Sequence, residues 1–188
     1  DTVNVSVTNG VQPFKVGPDF LDPTYLSRAA GRACYNLDTW MTGKAYVGEL
    51  FDRMTRDADI AIIEGVMGLF DGADPESING STAEVAALLD APVLLVAGAH
   101  GLARSFAAVV KGFAEFEKGV SVRCVVANQC GSERHRAWLA ASLESSLLPP
   151  LVGAVPRGAF PALQSRHLGL VSADQDVLPE ALIEQLAD

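Results

Sequence analysis

Apolar residues along this chain come in short unbroken runs separated by longer amphipathic stretches. The clearest run lies within residues 58–72, ADIAIIEGVMGLFDG, where Ile60 to Ile63 are apolar without alternation before a stop at Glu64 and Gly65. Such a run predicts a strand of a parallel sheet covered on both faces. Residues 92–98 (PVLLVAG), 120–128 (VSVRCVVAN) and 151–155 read the same way. Residues 3–8 (VNVSVT) alternate and predict a short strand, Asn9-Gly10 a turn, and 11–16 (VQPFKV) a second strand that Pro13 makes irregular or an edge. Helices are expected over 24–31, 39–57, 82–89, 102–118, 132–147 and 177–187; in 102–118 the apolar residues recur on a 3.6 period. Residues 165–170 read as loop.

Strands alternating with helices predict an α/β fold with a doubly wound, mostly parallel sheet. Right-handed crossovers then carry the ends of all parallel strands to one rim. Glu64, Asp71, Gly98, Asn128 and Arg157 fall on that rim, together with the loop after Lys15. Ligands of open α/β sheets bind outside the carboxyl ends of the strands. A carboxylate there, followed by Gly65, Gly68, Asp71 and Gly72, has the form of a metal- or phosphate-handling site. Taken alone, Glu64-Gly65 is as well read as a capped strand end, and Lys15 beside Asp19 and Asp22 as a surface ion pair. Asp38, Ser81 and Thr82 are good helix caps, and Asn128 is a plausible strand-end turn residue. His100, His135 and His167 read as surface or structural, and Cys130 is not in a nucleophile context.

Composition narrows the function. The 188 residues are 49% apolar, enough for one domain of the larger single-core size. A net charge of −9 argues against general nucleic-acid binding, which depends on cations at phosphates. No apolar run reaches the ~18 residues needed to cross a bilayer. Three cysteines without C-x-x-C spacing predict free thiols, a reducing cytoplasm and no zinc site.

The runs VQPFKVGPDFLDPTY, GRACYNLDTWM, EGVMGLFDG, GSTAEVAALLDAPVLLV, VVANQCGSERH, GAVPR and RHLGL closely resemble the cobyrinic or hydrogenobyrinic acid a,c-diamide synthases, relatives of dethiobiotin synthetase with a P-loop NTPase-like fold. The resemblance runs from Val11 to about Leu170. It implies a cobalamin-pathway ligase that uses ATP and Mg2+ to phosphorylate the a and c acetate carboxylates of a corrinoid, then amidates them with ammonia from a glutaminase domain. It implies that Lys15 contacts nucleotide phosphates, that Glu64 and Asp38 bind magnesium, and that Asp19 and Asp22 support phosphoryl transfer. Asp71 would help place the substrate or the acyl phosphate, Phe20 and Leu21 line the corrinoid side, and Ser81 and Thr82 bind a substrate carboxylate. Asn128, Pro156 and Arg157 would hold adenine. A homodimer is also expected. A nickel-sirohydrochlorin a,c-diamide synthase and a non-catalytic tetrapyrrole-binding module are the alternatives.

Two departures accompany the resemblance. The family begins with a strand, a G-x-x-x-x-G-K-[ST] loop and a helix, whereas here only Asn9 and Gly10 separate the first two apolar runs. A crossover needs a dozen or more residues. The segment is therefore deleted, or belongs to the molecule between about 8 and 11 outside the residues read here; the intact remaining motifs favour the second. The family's glutaminase domain is likewise expected to be absent from these residues, leaving the ATP-dependent synthetase domain over 1–188.

Overall fold

A computed structural model describes residues 10–159. The strand over 3–8, the loop over 165–170, the helix over 177–187, His167 and most of the 8–11 junction lie outside the described residues. The chain divides into two compact units, split after Leu88.

The first unit holds a three-stranded parallel sheet in the order β2-β1-β3, with β1 at Val11–Val16, β2 at Tyr35–Leu37 and β3 at Ile60–Glu64. Helix α1 (Asp22–Ala30) carries the crossover from β1 to β2, and α2 (Thr39–Thr42) and α3 (Lys44–Thr55) the crossover to β3. Helix α4 (Thr82–Leu88) follows the loop after β3. Lys15 lies level with Asn36 on one side and Glu64 on the other, so the strands end together on one rim. Phe14, Val16, Leu37, Val47 and Leu50 form this unit's apolar core, with the Phe14 ring 5.3 Å from that of Phe51.

The second unit holds a parallel sheet in the order β4-β5-β6, from β4 (Val93–Gly98), β5 (Val122–Cys130) and β6 (Leu151–Pro156). Helices α5 (Arg104–Glu115) and α6 (Glu133–Glu144) carry the crossovers. Phe106, Val110, Val125, Ala127, Leu139 and Leu143 fill its core.

The α/β class with parallel strands is as the apolar pattern predicts; the six strands form two three-stranded sheets, one in each unit. Four details differ from the sequence reading. Tyr35–Leu37 is a strand, three residues long and too short to show a period. The helix expected over 39–57 is broken at Gly43, whose φ of 83° is in the region that favours glycine. Pro13 sits in the central strand, not an edge, and is tolerated because β2 pairs with β1 only from Phe14 onward. Ile60 and Ile62 are about half exposed, so the described residues leave open one face of a strand whose unbroken apolar run predicted cover on both. Among the described residues, no helix is long and apolar enough to cross a membrane.

A lysine–carboxylate cluster at the strand ends

Lys15 is the centre of the candidate site. Its side chain points from the end of β1 and is only 5% exposed. The ammonium lies 2.8 Å from an oxygen of Asp22 and 3.6 Å from Glu64 Oε1, and donates to the Gly65 carbonyl at 3.0 Å. Burial by itself would lower its pKa. The hydrogen bond to Asp22 and the charges of Glu64, Asp22 and Asp19 outweigh that and hold it above the usual lysine range.

Each acid is placed by local structure. Asp19 Oδ1 accepts from the backbone N–H groups of Leu21 (2.7 Å) and Asp22 (3.2 Å), an Asx turn that opens α1. Burial pushes the Asp19 carboxyl up, but those two N–H groups, Asp22 and Lys15 together bring it below the ordinary value. The Asn36 side-chain amide donates to the Asp19 carbonyl, tying the loop to β2. Asp22 stands in the first turn of α1, where a negative charge is favoured by the helix dipole. Glu64 ends β3; burial raises its pKa, and the attraction of Lys15 does not offset this. Cys34 lies in the same electrostatic environment, its thiol raised to about 11 by burial and then by Glu64. It stays protonated at neutral pH.

The remaining predicted residues of this unit take other positions. Asp38 Oδ1 accepts from Trp40 and Met41 N–H groups at 2.9 and 3.0 Å, the capping role, rather than joining the Lys15 group. Asp71 Oδ2 accepts from Gly68 N–H at 3.0 Å and closes the turn after β3. Ser81 is fully buried: its hydroxyl donates to the Ile78 carbonyl and accepts from Glu84 N–H. Thr82 Oγ1 accepts from Val66 N–H at 2.9 Å, which fastens the loop after β3 to the start of α4. Phe20 is 73% exposed beside half-buried Leu21.

In the second unit, Asn128 is exposed near the end of β5, its Oδ1 accepting from Gln129 N–H. Pro156 ends β6, and the exposed Arg157 guanidinium donates to His100 Nδ1 at 2.5 Å. His135 is structural: Nδ1 accepts from Gly131 N–H, and Nε2–H donates to the Leu102 carbonyl at 2.6 Å. Cys130 is buried.

Over 178 residues, 95% of this chain and 39% of the relative, the sequence is 60% identical to the cobyrinate a,c-diamide synthase of Syntrophotalea carbinolica. It is 44% identical over 177 residues to the hydrogenobyrinate a,c-diamide synthase of Brucella suis, covering 94% of this chain and 40% of that one. With the cobyrinate a,c-diamide synthase of Picrophilus torridus the identity is 42% over 166 residues, or 88% and 38%. Over the part it spans, the chain belongs to the cobyrinate and hydrogenobyrinate a,c-diamide synthase family. It spans about two-fifths of the length of the curated relatives it matches. No protein-family model matches it.

For a member of this family, the question is whether these residues suit magnesium and phosphate. Among the described residues, no group of three or more His, Cys, Asp or Glu side chains is arranged to hold a metal ion. Magnesium in nucleotide enzymes usually takes one or two carboxylates, with phosphates and water completing its shell. Asp22 and Glu64, two hard oxygen donors beside one buried ammonium, fit that sparse set. Sequence reasoning missed Asn36, Cys34 and Glu84. Glu84 is 5% exposed; its carboxylate accepts from Lys44 (2.8 Å), Gly80 N–H (2.8 Å) and the Thr39 hydroxyl. Only the S-T-A-E capping-box pattern at 81–84 pointed to it, and that pattern suggests a helix start, not a buried ion pair.

Proposed function

We propose that the protein is the ATP-dependent synthetase part of a cobyrinate or hydrogenobyrinate a,c-diamide synthase, acting in cobalamin biosynthesis. The carrying observation is Lys15, buried between Asp22 and Glu64 at the ends of parallel strands, in a chain 60% identical to such a synthase. In this reading the γ-phosphoryl group of ATP passes to an oxygen of a substrate acetate, giving an acyl phosphate and ADP. Ammonia then attacks the acyl carbon, phosphate leaves with the C–O bond's electrons, and the nitrogen loses a proton to yield the amide.

Lys15 would offset charge on the transferring phosphoryl group from a position fixed before reaction, which is where electrostatic catalysis gains most. Glu64 and Asp22 would hold Mg2+, with Asp38 a further candidate; when bound, the ion would neutralise phosphate charge and orient its oxygens. Asp19, held ionised by the two N–H groups at the start of α1, would keep the loop of Phe20 and Leu21 in place beside the corrinoid. Asp71 would shape the glycine-bounded turn that receives the substrate. Ser81 and Thr82 would present the start of α4 to a substrate carboxylate. Asn128, Pro156 and Arg157 are assigned to adenine on the resemblance alone. Ammonia from a glutaminase domain and a homodimer belong to the same proposal.

The test is ADP formation by protein expressed from its full gene, with ATP, Mg2+, glutamine or ammonia, and cobyrinic or hydrogenobyrinic acid in separate arms. ADP release that requires one tetrapyrrole, with two of its carboxylates converted to amides by mass spectrometry, is the expected result. Tetrapyrrole binding without ADP formation would identify a binding module instead and overturn the ligase reading.

A further inference from the structure

A cluster of arginines lies at the other end of the first sheet. A cavity of about 410 Å³ is lined by Gln12, Arg32, Ala33, Tyr35, Arg53, Met54, Arg56 and Asp57. Gln12 is near the start of β1, Arg32 and Ala33 immediately precede β2, and Arg53 to Asp57 form the end of α3 and the approach to β3. Every lining segment therefore sits at the amino-terminal ends of the strands. Gln12 and Lys15 are three positions apart on β1, roughly 10 Å at the rise of an extended strand. The cavity and the lysine–carboxylate cluster are on opposite rims.

The floor of the cavity is fixed by partners within the protein. Gln12 is 2% exposed, and its Nε2 donates to the Ala33 carbonyl at 2.8 Å while its Oε1 accepts from Arg32 Nε at 3.2 Å. Arg32 also donates to the Asp57 carbonyl (3.1 Å) and carboxylate (2.7 Å). A buried glutamine thus orients one guanidinium, and Asp57 holds its outer edge. Arg53 and Arg56 make no ion pair with a carboxylate among the described residues. Among the described residues that line the cavity, three guanidiniums therefore meet a single carboxylate, in a chain whose net charge is −9. The carboxyl end of a helix explains one basic residue in its last turn. It does not explain two arginines gathered round a third whose orientation is set by a buried side chain.

We infer that this cavity binds a small multivalent oxyanion, a phosphate ester or a polycarboxylate, at a site separate from the lysine–carboxylate cluster. Planar guanidinium groups match both kinds of oxyanion through paired N–H donors. Half-buried Tyr35 and Met54 add an apolar wall that would favour an anion carrying an organic group over a bare ion.

Pyrophosphate and citrate are the probes, titrated separately by calorimetry and by amide chemical-shift mapping. Binding should shift the signals of Ala33, Tyr35 and Met54. The double variant Arg53→Ala/Arg56→Ala, both exposed positions, should weaken binding on the order of tenfold per guanidinium lost. Arg53→Lys/Arg56→Lys should recover part of the affinity, since charge remains but the planar fork is lost. Lys15→Met should leave the binding intact while affecting ATP turnover, so failure of this site and failure of the proposed ligase activity are distinguishable. Tighter binding of pyrophosphate would indicate a phosphate ester, and tighter binding of citrate a polycarboxylate. Absence of shifts at the lining residues with both probes, or affinity unchanged in the arginine-to-alanine double variant, would overturn the inference.

Discussion

Burial raises the pKa of Glu64, and Lys15 does not reverse this. A carboxyl group whose folded pKa is raised contributes stability below its unfolded value of 4.5; that contribution is lost as pH rises through the folded value. At neutral pH, Glu64 therefore costs stability. Glu64→Gln should leave the melting temperature unchanged or raise it, while abolishing ATP turnover; a lowered melting temperature measured by circular dichroism would contradict this account. Glu84 has the opposite sign. Burial opposes its charge, but Lys44, Thr39 and the Gly80 N–H outweigh burial and lower its pKa. Its stabilisation is present above 4.5 and disappears as pH falls through the folded value. Glu84→Ala strands a hydroxyl and an amide, and should cost about 2–3 kcal/mol by urea denaturation at pH 7, less than a fully buried pair because Lys44 is mostly exposed. The difference from wild type should shrink in acid.

The loop between β3 and α4 depends on glycines for a steric reason. A Cβ on Gly72 would lie 2.3 Å from the Asn79 carbonyl oxygen and 3.0 Å from Ser81 N, both backbone atoms that cannot turn aside. On Gly65 it would meet the Thr82 side chain at 2.9 Å. Gly48, inside α3, has open space around it. Gly72→Ala should therefore destabilise by roughly 2 kcal/mol or more through overpacking, whereas Gly48→Ala should stabilise by about 0.5–1 kcal/mol through helix propensity. Denaturant midpoints of the two variants check the ranking. The sequence motif E-G-x-x-G-x-x-D-G marked this loop as special, but which glycine is most constrained depended on the backbone of residues 79–81.

For the molecule as a whole, the chain's negative charge must be overcome locally wherever an anion binds. The two proposed anion sites of the first unit meet this differently: at one rim Lys15 stands among carboxylates, so a bound metal ion would have to add the positive charge, and at the other three arginines share a cavity with Asp57. They should respond differently to metal. Chelation by EDTA should abolish ADP formation at the first and leave pyrophosphate or citrate binding at the second unchanged, as calorimetry with and without chelator would show. Loss of both on chelation would mean that the second anion enters through a metal.

Unbroken apolar runs and amphipathic stretches are local properties, so the strands, most helices and their parallel arrangement could be read from the sequence. The association of Lys15, Asp22 and Glu64 was legible for a related reason: parallel strands with right-handed crossovers carry their carboxyl ends to one rim whatever their side chains. The sequence motifs likewise marked the family. Three-residue β2 and the half-exposed face of β3 were decided by strand pairing and covering elements, which no window of sequence contains. Tertiary structure alone brought Glu84 to Lys44 and Thr39, and Arg32 to Gln12 and Asp57. Those groups are 20 to 45 positions apart, and their meeting depends on packing geometry rather than on periodicity.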